Sequence, residues 1–193
     1  HNTVQSLSNY YFGSNDESLQ KGDTLYGRLP QKIDIYSGRV DYTMPLKGGA
    51  RFEAGVKSSF VKTDADAIYD TVHNAAIIRD RNRSNHFIYE ENINAAYVNL
   101  SGPLGKKWNG QLGLRLENTV AKGAQLTTNE TFKRNYTQLF PTAFLQYKAD
   151  EKNSFVLNYG RSIRRPDYGS LNPFIGFLDR YTYQQGNPNL RPQ

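Results

Sequence analysis

The sequence predicts an all-β chain, an antiparallel meander of long strands that forms a section of a transmembrane β-barrel wall. Three observations predict it. Apolar and polar residues alternate with a period of two over runs of about ten residues, roughly twice the usual globular strand and enough to cross a bilayer at a tilt. Connections alternate between short ones, near 45–49, 101–107 and 149–153, and long ones, near 62–85, 120–135 and from 165 onward. That is the asymmetry of a barrel with short periplasmic turns and long outer loops. Finally, Tyr97, Trp108, Tyr147 and Phe155 lie beside the short turns, and Phe60, Phe87, Tyr89, Tyr136 and Tyr159 lie toward the long loops, as two aromatic girdles require.

Residues 1–30 are rich in Asn, Ser, Gly, Asp and Gln and read as a strand end and a long loop; 31–193 read as the barrel section. The first run, Gln31 to Met44, places Tyr36, Val40, Tyr42 and Met44 on one parity, and Pro45-Leu46-Lys47-Gly48-Gly49 then turns. Phe52, Ala54, Val56 and Phe60 oppose Arg51, Glu53, Gly55, Lys57 and Ser59 in the second. A polar stretch, Lys62 to Asn85, follows, with a short helical or strand piece around Ala75-Ala76-Ile77-Ile78. Phe87 to Leu100 is the next strand. Trp108 to Thr119 alternates best, with Trp108, Leu112, Leu114 and Leu116 against Asn109, Gln111, Gly113, Arg115 and Glu117. Leu139 to Tyr147 and Phe155 to Ile163 form a hairpin across Ala149–Asn153. A further strand starts near Tyr181. About six to seven strands result, fewer than the eight or so that close a membrane barrel, so the chain is expected to be a piece of a larger wall whose open edges invite self-association.

Composition excludes several classes. With no run of about 18 apolar residues there is no helical span, while a mean hydropathy of -0.72 suits a polar-lined barrel and a soluble protein equally. A soluble β-sandwich that binds carbohydrate is therefore the alternative. The absence of cysteine removes disulfide scaffolds and thiol nucleophiles. The net charge of +6 comes from scattered basic residues rather than a tract, so no nucleic-acid partner is expected.

No set of residues supplies an acid, a base and a nucleophile in a recognisable order, so no catalytic residues are assigned and the chain is not read as an enzyme. His73 and His86 are too few and too far apart to predict a metal, and no cofactor is called for. Arg161, Arg164 and Arg165 fall at the outer rim, where they could meet an anionic ligand or pair with lumen acids such as Glu117. Tyr168, Tyr181 and Tyr183 could stack on a flat ligand or simply pack the loop. Arg164, Arg165, Tyr168, Tyr181 and Tyr183 are the candidate ligand-binding residues.

The Arg-Ser-Ile-Arg-Arg-Pro run at 161–166, Leu-Asn-Pro-Phe at 171–174, Tyr-Thr-Tyr at 181–183 and Gly-Asn-Pro-Asn-Leu-Arg-Pro at 186–192 resemble the barrel region of TonB-dependent outer-membrane receptors, more narrowly the receptor-like barrel proteins of the Bacteroidetes type. Gly113 to Thr119 and Leu139 to Ala143 fit the same pattern, and the likeness extends over roughly residues 31–193. The resemblance implies a location in the bacterial outer membrane among its lipids. It implies uptake of a scarce extracellular ligand (an iron chelate, a vitamin or a glycan) and energy from TonB through a plug domain not recognisable in this chain. An outer-membrane barrel without a plug, passive or adhesive, is the other membrane reading.

Overall fold

Backbone pairing runs through most of the chain. The computed structural model describes residues 2–13, 16–73, 76–173, 175–177 and 182–193. An eight-stranded antiparallel sheet holds β1 (Asn2–Gly13), β2 (Asp16–Pro45), β3 (Arg51–His73), β5 (Asn85–Pro103), β6 (Trp108–Gln125), β7 (Glu130–Lys148) and β8 (Ser154–Gly160) in that order, with β4 (Ala76–Arg79) pairing β3 off this path. A four-residue helix, α1 (Tyr168–Leu171), and a separate small sheet of β9 (Ile175–Phe177) and β10 (Tyr183–Gln185) follow. The meander of long strands read from the sequence is the observed fold.

The three short turns fall where the turn chemistry puts them. Between β2 and β3, Gly48 and Gly49 take positive φ of 77° and 79°, a region open to glycine without a Cβ clash. Leu46 N–H donates to Ala50 O (2.8 Å) and closes that turn. Between β7 and β8, the Asp150 carboxylate accepts from the backbone N–H groups of Lys152 and Asn153 at 2.8 Å each. Donation from the Asn153 side chain, with these backbone bonds, holds that carboxyl below the usual range.

The predicted long loops are largely strand. β3 continues to His73, and Leu126–Asn129 alone separates β6 from β7, with Asn129 at φ 60°. Residues 1–30, read as a strand end and loop, carry β1 paired along the first half of β2. The reason is physical: in the ribbon formed by the upper parts of β3 and β6, alternate positions are buried but filled by small or polar side chains such as Thr63, Ala67, Thr119 and Ala121. The period of two is present in burial without the apolar alternation that marks it in a sequence. Asp70 illustrates what ties such a ribbon, accepting from Arg79 (2.8 Å) and Arg28 (3.2 Å), with Arg79 leading in holding its carboxyl below its ordinary value. The strand expected near Tyr181 is β10, which pairs only with β9; Tyr181 itself lies outside the described residues.

Register sorts the side chains into two faces. One carries cross-strand rows such as Val40, Val56, Ala96, Leu116 and Leu139, then Tyr42, Ala54, Val98, Leu114 and Pro141, then Met44, Phe52, Leu100, Leu112, Ala143 and Tyr159. This face is uncovered: Leu112 is 66% and Leu157 69% exposed. Several strands of contiguous exposed aliphatic surface are not tolerated in water. From Phe52 to Phe60 the lipid-facing run of β3, interrupted by Ser58, is about 27 Å along the strand at about 3.4 Å per residue, near the lower end of the roughly 9–11 residues that cross a bilayer at a tilt. The band also slopes. Its upper end is Tyr36 and Phe60 on β2 and β3 but Ala96, Leu116 and Leu139 on β5 to β7, while the sheet's lower margin falls from Arg51 through Pro103 to Lys148. Strands tilted across a slab produce this offset.

The opposite face is polar. Tyr97 Oη donates to Asp41 Oδ1 (2.6 Å), and Arg39 pairs with the same carboxylate. Glu53 accepts from Asn99 Nδ2 (2.7 Å) and lies 3.3 Å from Arg51. Arg115 lies 3.6 Å from Glu117, its guanidinium 4.8 Å from the centre of the Phe140 ring. Tyr97 thus leaves the lower girdle, which on the apolar face consists of Trp108 against Tyr147 (ring centres 4.5 Å apart) with Phe155 opposite Tyr147. In the upper set, Phe60 stands on the apolar face across from Tyr36, whereas Phe87, Tyr89 and Tyr136 point to the polar face and Tyr159 sits in the row of Met44 and Phe52. Parity, not nearness to a turn, decides which aromatic residues face outward.

Candidate functional site

On the polar face, the upper ends of β5 to β7 meet the segment that follows β8. Phe87, 1% exposed, Tyr89 and Ala121 are buried with Leu171 of α1, and Phe132 and Tyr168 pack against them. Ring centres lie 6.0 Å apart for Phe87 and Tyr168, 6.4 Å for Tyr89 and Tyr168, and 6.5 Å for Phe87 and Phe132. Glycine makes room for this: a Cβ on Gly123 would lie 2.1 Å from Cε1 of Phe132, its partner on β7. Aromatic rings cover cross-strand glycines in the same way at Gly27 under Tyr69 and Gly55 under Tyr97. Alanine at Gly123 should therefore displace Phe132 and loosen the patch by about 1–3 kcal/mol. Faster proteolysis of the segment after β8, with the sheet intact by circular dichroism, is the expected result.

Charge surrounds the rings. Arg134 donates to the carbonyls of Pro188 and Leu190, its guanidinium 5.0 Å from the centre of the Phe132 ring. Arg165 reaches Glu117, which is 5% exposed and also faces Arg115. Burial lowers the Arg165 pKa from its ordinary value, opposed by the charge of Glu91. Burial, with the charge of Asp64, pushes the Tyr168 hydroxyl up to about 12. Burial, then Glu91, raises that of Tyr89. Both phenols are neutral at physiological pH; Tyr89 Oη donates to Glu91 Oε1 (3.3 Å), and Tyr168 Oη accepts from Asn172 Nδ2 (3.1 Å).

The segment is also tied to itself. Asp167 caps α1 by accepting from Ser170 N–H (2.8 Å), Asn187 N–H donates to Ser170 O (2.7 Å), and Arg164 and Gln193 exchange backbone bonds of 2.8 and 3.0 Å. Of the five residues proposed from sequence, Arg165 and Tyr168 come together at the patch. The Arg164 side chain is exposed, Tyr183 is 60% exposed on β10, and Tyr181 is outside the described residues. The pairing of an arginine with Glu117, weighed from the sequence, is present for Arg165. Phe87, Tyr89, Phe132 and Arg134 were missed as site residues, and only the cross-strand register could have placed them beside Tyr168. His86 Nε2 is 2.7 Å from Asp64 Oδ1, and among the described residues no three potential metal ligands come together.

A meander with one uncovered apolar face, a lower aromatic girdle and a charged opposite face is a section of a membrane-spanning β-barrel wall. Residues 1–193 match the outer membrane protein beta-barrel family throughout, and the chain belongs to that family. It is therefore an outer-membrane protein, its apolar face toward lipid and its polar face toward the lumen. Among solved structures, the crystal structure of the ferric citrate transporter FecA in the unliganded form is similar in fold, with a TM-score of 0.50 at 13% identity, covering 81% of this chain. The chain spans 24% of that transporter's length. No curated protein matches the chain.

Proposed function

We propose that the chain forms part of the barrel of a TonB-dependent receptor of the Bacteroidetes type, which takes up a scarce ligand across the outer membrane. The observation that carries this reading is the lumen patch of Tyr89, Phe132, Arg134, Arg165 and Tyr168 at the upper ends of β5 to β7. The cationic and aromatic groups gathered there hold, in this structure, the chain's own segment after β8. They suit an anionic, partly flat ligand such as an iron chelate that takes that segment's place, because guanidinium groups bind oxyanions through paired N–H donors and rings stack on planar groups. The similarity to a ferric citrate transporter points the same way. Under this reading the margins of the sheet at β1 and β8 pair with further strands of the wall, and TonB acts through a plug outside this chain.

The test is growth of a strain lacking the intact protein on limiting iron chelate, vitamin or oligosaccharide as the sole source. One source should restore growth only when both the protein and TonB are present. In the intact protein, replacing Arg134 and Tyr168 by Gln and Phe should weaken that uptake without lowering the amount in the outer membrane. Uptake that persists without TonB would instead identify a passive barrel, and no growth defect on any source would overturn the reading.

A further inference from the structure

One cation of the lumen patch is held by neutral groups. Arg115 and Arg165 both face the Glu117 carboxylate, whereas Arg134 donates to the backbone carbonyls of Pro188 and Leu190 and lies over the Phe132 ring. Among the described residues no carboxylate lies within ion-pair distance of Arg134. Hydrogen bonds from a guanidinium to a charged acceptor are roughly twice as strong as those between neutral groups, and a carboxylate matches the guanidinium fork with two oxygens. Residues 186–193 therefore occupy donors that an oxyanion would fill better.

What holds residues 186–193 in place is local backbone. Gly186 N–H donates to Asn172 O (3.0 Å), Asn187 N–H to Ser170 O (2.7 Å) and Gln193 N–H to Arg164 O (3.0 Å). The closest approach is at Gly186, where a Cβ would lie 2.3 Å from Asn172 O, 2.7 Å from Gly169 O and 2.8 Å from Ser170 O. Gly186 is not among the glycines of positive φ, so glycine supplies space here rather than an unusual backbone conformation. All three neighbours are backbone atoms of α1 and its cap, and none swings aside as a side chain would. The other side of the stretch is open, with Asn187, Asn189 and Leu190 exposed. No residue of 186–193 belongs to the buried cluster of Phe87, Tyr89, Ala121 and Leu171, so lifting the stretch leaves that cluster packed.

We propose that residues 186–193 form an internal strap that competes with the ligand for Arg134. Binding is an exchange: an oxyanion takes the N–H donors that the carbonyls of Pro188 and Leu190 give up, and the strap moves into solvent. Arg165 and Tyr168 stay on the sheet, held by Glu117 and by the rings. Apparent affinity is then the intrinsic affinity reduced by the fraction of molecules whose strap is lifted, so the strap sets the ligand concentration at which the site fills. The inference rests on the uptake reading for the chemistry of the ligand; the strap itself does not.

The test uses the intact protein in detergent, with ferric citrate as the probe. Gly186→Ala keeps every residue of the patch and removes the room on which the strap depends. Phenylglyoxal should modify Arg134, read from the mass of its peptide, at least about fivefold faster in this variant, and ferric citrate should bind it at least about fivefold more tightly. The wild-type protein gives a measurement that needs no variant: by linkage, saturating ferric citrate should speed proteolytic cleavage within residues 186–193. A lid that closes over bound ligand requires the opposite signs, weaker binding by Gly186→Ala and slower cleavage with ferric citrate. Unchanged modification of Arg134 overturns the strap whatever the ligand is. Faster modification with ferric citrate binding that is unchanged, weaker or absent in both proteins overturns the exchange, as does cleavage that ferric citrate leaves unchanged or slows. Neither result touches the uptake reading, which the growth experiment decides.

Discussion

An arginine at Leu114 is expected to keep the intact protein out of the outer membrane. Leu114 lies within the apolar band, in the row of Tyr42, Ala54, Val98 and Pro141, and is 42% exposed. In a soluble sheet such a residue would tolerate a charge. Facing lipid near mid-bilayer, the same change costs about 2–4 kcal/mol, which is comparable with much of a protein's net stability. Gln111→Arg provides the control, because Gln111 shares a strand with Leu114 but points to the polar face, where a cation meets the charged ladder. The measurement is the fraction of each variant in the outer membrane that keeps a folded, heat-modifiable mobility. Leu114→Arg should lose most of it and Gln111→Arg almost none. Equal behaviour would mean that the two faces are wrongly assigned.

That contrast depends on the feature most legible in the sequence. The alternation of Leu112, Leu114 and Leu116 against Gly113, Arg115 and Glu117 fixes their faces without any structure, because a strand has a period of two whatever its neighbours do. The three short turns were equally legible, since glycine and Asx chemistry acts locally. The outer hairpins were not. Between Lys62 and His73 the burial period persists, with Thr63, Ala67 and Tyr69 buried on one face. That face holds a threonine and an alanine as well as the tyrosine, so the apolar alternation that would reveal it is absent. The candidate site was half legible for a related reason. Arg165 and Tyr168 belong to a stretch distinctive in itself, but their partners Phe87, Phe132 and Glu117 come from three strands, and only the non-local register makes them neighbours. Tyr97 shows the same limit: its position beside a turn suggested a girdle, while its parity turns it inward to Asp41.

The segment after β8 should be released most effectively by removing one charge beneath it. Glu117 is 5% exposed between Arg115 and Arg165. With Glu117→Gln the two guanidinium groups keep their charges and lose the carboxylate between them. Breaking a buried pair by removing one partner costs about 3–5 kcal/mol, but Arg165 is a quarter and Arg115 about half exposed, so solvent screening reduces the figure to about 2 kcal/mol. That corresponds to roughly a thirtyfold shift from docked to undocked segment. Limited proteolysis of residues 161–193 should accelerate accordingly, with the transmembrane sheet unchanged. The double variant Glu117→Gln with Arg165→Gln separates charge from packing: it removes the stranded cation and should restore much of the protection, a coupling that two independent losses would not show. If the double variant is instead cut faster than the single one, Leu171, Tyr168 and the aromatic patch hold the segment, and the ion pair contributes little to its position.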